Sequence, residues 1–338
     1  MEFSQKIVTV DSHTMGEPAR IIISGPVAIK GSTVREKRDY FKKNYDYIRT
    51  SVINEPRGHS GMFAALVTEP CHPDADVGLI YMDNQVYVNM CVHATIAATV
   101  VILETGMIVP SSPAKKKLVI ETPSGLVQVE AECDGNKVKK VHLINVPSFT
   151  LLKDVEIGVR GKRVRLDVSY GGNTFAVVHA EQIGIPVRQT HVDELISWGM
   201  DIRKEANRQL KFSHPENPQL NVVDQVLIHG EPTRKEAHSK NIIISGLGKA
   251  DRSPCGTGTC ARLASLYIRG VMKAGDTFIN EGIIGTCFEC RIIEEKKIGE
   301  YRAIVPQISG NAYITGFNTL LIDDEDPLKH GFMLKQFE

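Results

Sequence analysis

Neither sign of charge predominates in this chain, which sets 40 Lys and Arg against 40 Asp and Glu over 338 residues. A phosphate-binding surface needs a local excess of basic side chains, so nucleic acid is excluded as the main partner. The densest basic run, Lys115-Lys116-Lys117, reads as a solvated turn. Long apolar runs are also missing. The longest, residues 94–103, falls far short of the ~20 residues that a membrane-spanning helix requires. The opening Met1-Glu2-Phe3-Ser4-Gln5-Lys6 lacks the charged-then-apolar layout of a signal peptide. No membrane partner and a cytoplasmic location are therefore expected. Seven cysteines occur, at 71, 91, 133, 255, 260, 287 and 290. The odd number and the lack of a secretory signal point to reduced thiols, available for chemistry or burial rather than for a disulfide framework.

What is present describes an ordinary globular protein, with 42% hydrophobic and 24% charged residues. The length suits two domains or one large one, with a core that needs neither metal nor disulfide. Strand-like segments dominate. Residues 6–10 lead to a turn over Asp11 to Pro18, and residues 20–24 follow as a second β-rich run. Residues 77–82 and 85–88 flank a hairpin signal at Asp83-Asn84. Residues 117–122, 126–132 and 138–145 form a meander. Residues 164–169 and 175–180 flank Tyr170-Gly171-Gly172-Asn173, a further hairpin. Helices are expected over residues 34–44, 92–104, 192–209 and 256–268, the second and fourth stopped by Gly106 and Gly270.

The second and fourth of these helices open alike. Cys91-Val92-His93-Ala94-Thr95-Ile96-Ala97 aligns with Cys255-Gly256-Thr257-Gly258-Thr259-Cys260-Ala261, sharing Cys, Thr and Ala at the same offsets. The two stretches lie about half a chain apart, which favours a duplicated two-domain plan with pseudo-twofold symmetry. A helix N-terminus presents unpaired N–H groups and partial positive charge. A cysteine there becomes a thiolate more readily, and the same N–H groups bind a carboxylate. Two facing helix starts would thus put one base on each side of a bound amino acid. Inverting an α-carbon needs that arrangement, because the proton leaves one face and returns on the other. The reference thiol pKa of about 8.5 lies within reach of neutral pH. Cys91 taken alone also fits a buried small residue. Cys255, in Asp251-Arg252-Ser253-Pro254-Cys255-Gly256-Thr257-Gly258-Thr259, has less reason to be merely structural.

Other candidates are weaker. Cys287-Phe288-Glu289-Cys290 has no partner pair to complete a zinc site, and on a strand its two thiols would face opposite ways. Cys260 reads as helix core, and Cys71 and Cys133 read as packing residues. Gly246-Leu247-Gly248 lacks the third glycine and the acid of a dinucleotide fingerprint.

Asp11-Ser12-His13-Thr14-Met15-Gly16-Glu17-Pro18, Glu55-Pro56-Arg57-Gly58-His59, Met90 to Ile96, Asp251 to Thr259 and Ala312-Tyr313-Ile314-Thr315-Gly316-Phe317-Asn318 all resemble the proline racemase family. The resemblance covers nearly the whole chain. It implies an α/β (α+β) fold of two diaminopimelate-epimerase-like domains, each a curved sheet or barrel around a central helix, with the active site in the cleft between them. The expected domains are 1–148 plus 317–338, and 149–316. It further implies an enzyme that needs no cofactor or metal, usually a homodimer, acting on proline or hydroxyproline.

Carried over by the resemblance, Cys91 and Cys255 are the acid/base pair. Backbone N–H groups of Val92, His93, Gly256 and Thr257 hold the substrate carboxylate. Asp251 accepts a hydrogen bond from the ring nitrogen, and Phe63 and Ser245 line the ring pocket. His13 and His59 lie in the shared motifs, where either an electrostatic role near the site or a structural hydrogen-bonding role fits them. Three departures stand out. Val92 and Ala94 replace the Gly and the Gly or Asn usual after the first cysteine. Ser245 stands where proline racemases commonly carry an aromatic residue, which should admit a ring hydroxyl. Thr174 occupies a position that is often Phe. The expected function is racemisation of proline and 2-epimerisation of 4-hydroxyproline. The alternatives are a 3-hydroxyproline dehydratase, whose relatives carry Thr at the second cysteine position, and a non-catalytic amino-acid-binding protein of the same fold.

Overall fold

A computed structural model describes residues 5–24, 28–108, 115–246 and 248–334. Residues 1–4 and Leu247, which entered the sequence reading, lie outside the described residues. In chain order the first elements are β1 (Gln5–Thr14), β2 (Glu17–Ser24), α1 (Val34–Ile53), β3 (Phe63–Thr68), β4 (Val77–Asp83), β5 (Tyr87–Val88), α2 (Val92–Glu104), β6 (Lys115–Thr122), β7 (Gly125–Asp134) and β8 (Lys137–Ile144). There follow β9 (Ser148–Val159), β10 (Lys162–Tyr170), β11 (Thr174–His179), α3 (Val192–Gln209), β12 (Gln225–Gly230) and β13 (Ser239–Ile244). The last are α4 (Gly256–Ile268), β14 (Thr277–Glu281), β15 (Cys287–Ile298), β16 (Tyr301–Gly310) and β17 (Ala312–Ile322).

The chain divides into two units, Met1–Leu143 with Gly310–Gln336, and Ile144–Ser309 with Phe337–Glu338. In the first, strands pair in the order β17, β1, β2, β3, β4, β6 and β7, with β8 on the far side of β7. The β2–β3 and β4–β6 pairs are parallel and the others antiparallel. β1, β2, β3 and β17 pack on α2. Every residue of α2 from Val92 to Leu103 is buried, as a helix apolar on all sides must be.

In the second unit the order is β9, β10, β11, β12, β13, β14, β15, β16. β16 returns to β9 through Ala303↔Phe149 and Ile304↔Ser148, closing a barrel. Again two pairs are parallel, β11–β12 and β13–β14, and α4 packs on β9, β10, β11 and β15. The two units therefore share one strand plan, β17 standing to β1 as β9 stands to β10. The repetition extends to detail. Glu121 in β6 accepts the N–H groups of Cys71 (2.6 Å) and His72 (2.8 Å). Glu281 in β14 accepts those of Thr233 (2.7 Å) and Arg234 (3.0 Å). This is the mixed α/β, two-fold-repeated architecture that the resemblance implied. Among the described residues no helix is long and apolar enough to cross a membrane.

Several local expectations are corrected. The turn expected over Asp11 to Pro18 is mostly strand. Thr14 pairs with Glu17, and only Met15 (φ 50°) and Gly16 (φ 102°) turn the chain. α1 does not end at Asn44. Its ladder breaks at Tyr45 (φ −137°, ψ 20°) and resumes to Ile53. Lys115 to Lys117 open strand β6 rather than a turn, and Lys116 is buried.

Candidate active site

The first cysteine sits where an extended chain becomes a helix. Cys91 (φ −147°, ψ 112°) is the N-cap of α2. Its Sγ lies 3.1 Å from Nδ1 of His93, two residues further on. The His93 ring meets Phe63 edge-on at 4.8 Å. The backbone here is fastened from beneath. Thr14 donates its hydroxyl to the His93 carbonyl (2.7 Å), and Thr95 donates to the Cys91 carbonyl (2.7 Å). Because the Thr95 proton is used, the Tyr81 hydroxyl 2.6 Å away must donate to Thr95 Oγ1. Burial pushes the Tyr81 phenol far above its ordinary pKa, so it remains a donor. Val92, Ala94 and the cysteine itself are all buried.

The second cysteine is held differently. Cys255 is the N-cap of α4, with φ 61° and ψ 119°. A non-glycine residue held there stores of order 1–3 kcal/mol and persists only when its surroundings over-determine it. They do so here. Asp251 Oδ1 accepts both the N–H and the hydroxyl of Ser253, each at 2.8 Å, and Ser253 Oγ in turn accepts the Cys255 N–H (3.1 Å). The Pro254 carbonyl accepts from Asn241 Nδ2 (3.0 Å), Thr259 Oγ1 (3.2 Å) and Asn280 Nδ2 (3.4 Å). Cys255 Sγ accepts the Gly258 N–H at 3.4 Å and lies 3.6 Å from Thr257 Oγ1, which also receives Asn173 Nδ2 at 3.3 Å.

Two glycines permit this packing. A Cβ on Gly171 would lie 2.2 Å from the Thr257 carbonyl oxygen, so the β10–β11 hairpin can touch the first turn of α4 only through glycine. A Cβ on Gly282 would lie 2.8 Å from the Pro254 nitrogen. Ser245 follows β13 in a turn closed by its N–H to the Lys249 carbonyl (2.9 Å). Its hydroxyl is buried and has no hydrogen-bond partner among the described residues.

Of the residues singled out from sequence, Phe63, Cys91, Val92 and His93 gather in the first unit. Ser245, Asp251, Cys255, Gly256 and Thr257 gather in the second. Asp251 commits Oδ1 to both the N–H and the hydroxyl of Ser253. Sequence reasoning missed Tyr81, Thr95, Asn173, Asn241 and Asn280. Asn241 and Asn280 are buried polar residues on β13 and β14, beside Lys240 and Glu281, and nothing in their local sequence pointed to the Pro254 carbonyl. Cys260 lies against Cys290, sulfur to sulfur at 3.9 Å, away from the helix cap. Burial, then the hydrogen bond with Cys260, push the Cys290 thiol up.

The family model described as proline racemase matches residues 9–333. The chain belongs to the proline racemase family. It is 45% identical over 336 residues to a proline racemase of Clostridioides difficile, covering 99% of this chain and 100% of that protein. It is 40% identical over 324 residues to a 4-hydroxyproline epimerase of Brucella ovis, covering 96% of this chain and 97% of that one. A crystal structure of a hydroxyproline epimerase from Agrobacterium vitis with bound trans-4-hydroxy-L-proline superposes with a TM-score of 0.89. The sequence identity is 29%, over 99% of this chain and 96% of the other. As a proline racemase family member this chain is an isomerase acting on amino acids.

Proposed function

We propose that this proline racemase family member inverts the α-carbon of both proline and 4-hydroxyproline, with Cys91 and Cys255 as its two acid/base groups. One thiolate removes the α-proton and forms an S–H bond as the C–H bond breaks. The opposing thiol delivers its proton to the other face of the carbanion-like centre. The two sulfurs exchange protonation states, and no net oxidation or reduction occurs. The observation that carries the reading is that each cysteine is the N-cap of a thirteen-residue helix. Each helix start offers N–H groups worth ~0.3–2 kcal/mol to a nearby anion. Those of Val92, His93, Gly256 and Thr257 would hold the carboxylate, whose negative charge grows as the proton departs. Asp251 would accept from the ring nitrogen. Phe63 would bound the ring.

Acceptance of the hydroxylated ring rests on Ser245. A buried hydroxyl without a partner costs roughly 1–3 kcal/mol, and a substrate hydroxyl would relieve that cost. The relatives named for proline and for 4-hydroxyproline, both matched over nearly the whole chain, support a bifunctional enzyme. Family resemblance likewise supports a homodimer, which light scattering of the full chain would test. The deciding experiment is polarimetry of L-proline, D-proline and trans-4-hydroxy-L-proline with no added cofactor. Loss of rotation with proline and formation of the 2-epimer from hydroxyproline are expected. Activity on one substrate alone would refute bifunctionality. A dehydrated product from 3-hydroxyproline with no inversion would replace the reading with a lyase.

A further inference from the structure

We propose that the second unit holds an anion-binding pocket separate from the residues above, built on Arg262 and suited to a small monocarboxylate with a short apolar tail. Arg262 lies seven residues after Cys255, about 10 Å further along the helix axis. It lines a pocket of about 350 Å³ together with Arg269, Asp167, His229, Val177 and Leu266.

The other charges of this pocket are matched. Arg269 donates to Asp167 (2.6 Å) and to Asp154 (2.9 and 3.1 Å). Asp167 also accepts from the Ser265 hydroxyl (2.6 Å) and the Asp154 N–H (2.9 Å). Arg165 pairs with Glu156 at the surface (3.1 Å). Arg262 is the exception. Among the described residues its buried Nε has no hydrogen-bond partner, and its one hydrogen bond is a long contact from Nη1 to Ser265 Oγ (3.5 Å). No carboxylate forms an ion pair with it among the described residues.

A guanidinium so placed carries a desolvation cost that an incoming acceptor would remove. Burial, offset in part by the nearby Asp167 charge, holds the Arg262 group down to about 10, still charged at neutral pH. His229, edge-on to His179 at 4.9 Å, is pushed well below its ordinary value by burial and then by Arg262, so it stands neutral beside the cation. The pocket therefore offers one positive group that no carboxylate contacts directly among the described residues. Asp154 and Asp167 would repel a second negative charge, which favours a monoanion over a phosphate dianion. Val177 and Leu266 leave room for a short apolar chain.

The test uses the full chain and sodium butyrate, with sodium chloride at equal ionic strength and inorganic phosphate as comparisons. Butyrate at about 100-fold excess over its Kd is expected to raise the Tm by roughly 4 °C, with chloride inert and phosphate weaker. Arg262→Met should abolish that rise and keep turnover. In Val271→Trp, at the exposed rim of the same pocket, the added indole should report butyrate by a saturable fluorescence change. The change should vanish when Arg262→Met is combined with it. An unchanged Tm together with an unresponsive indole overturns the proposal, as does a butyrate effect that survives Arg262→Met. A stronger response to phosphate overturns the carboxylate assignment.

Discussion

Replacing Gly258 by alanine should separate the stability of α4 from the placement of its thiol. Gly258 is the third residue of the helix, and its N–H points at Cys255 Sγ from 3.4 Å. An added Cβ would lie 2.9 Å from Ile243 Cδ1, 3.3 Å from Cys255 Sγ and 3.4 Å from Cys255 Cβ. Ile243 can yield, because the touching atom is the far end of its side chain. The sulfur must also give by a few tenths of an ångström, and it has less freedom at a backbone already held at φ 61°. Alanine gains about 1 kcal/mol of helix propensity, and tight packing costs ~1–3 kcal/mol. The net loss should be about 0–2 kcal/mol. A misplacement of about 1 Å can cost about 100-fold in rate, so a few tenths should lower kcat roughly three- to tenfold. Urea unfolding gives the first quantity and polarimetry at saturating substrate the second. A folded variant with kcat equal to that of the parent would refute the view that this close approach aims the sulfur.

Gly171→Ala should behave in the opposite way. Its Cβ would meet backbone atoms, the Thr257 oxygen at 2.2 Å and the Ala261 nitrogen at 2.7 Å, so a loss of about 3 kcal/mol or more is expected by denaturant unfolding, and a normal midpoint would contradict it. Ser245→Phe should lower activity on 4-hydroxyproline more than on proline, and equal losses would remove Ser245 as the selector. Glu281 gives a pH signature. Burial alone would raise its pKa, but the hydrogen bonds from Lys240, Thr233 and Arg234 bring it to about 2. A carboxylate depressed in the folded state stabilises fully above its unfolded pKa near 4.5, and that contribution is lost as pH falls towards 2. The shift corresponds to up to about 3 kcal/mol. Glu281→Gln should therefore lower Tm at neutral pH and flatten its acid dependence, and parallel Tm–pH curves for parent and variant would show that Glu281 contributes nothing.

What the sequence made legible were features with local causes. The ends of α2 and α4 follow from Gly106 and Gly270, both at φ 72°, and from cysteines that precede each helix. α1 was harder, because nothing around Asn44 announces that the helix resumes after a single broken residue. Lys116 shows why a charge run misleads. In a strand every second side chain turns inward, whatever its charge. The resemblance implied a return to the first domain from about Phe317, whereas β17 pairs with β1 from Ala312 onward. The clamp on Pro254 was not legible, because Asn241, Thr259 and Asn280 converge only after β13, α4 and β14 have packed. The positive φ of Cys255 was equally hidden. Cysteine has no preference for that region, and the surrounding contacts impose it.

The central claim is most directly tested by following α-proton exchange in deuterated water for Cys91→Ser and Cys255→Ser, each offered L-proline and D-proline separately. The two-thiol account predicts that both variants lose inversion. Any exchange that persists should label one enantiomer in Cys91→Ser and the other in Cys255→Ser, because each remaining sulfur reaches a single face. Full inversion by either variant, or labelling of the same enantiomer by both, would contradict it.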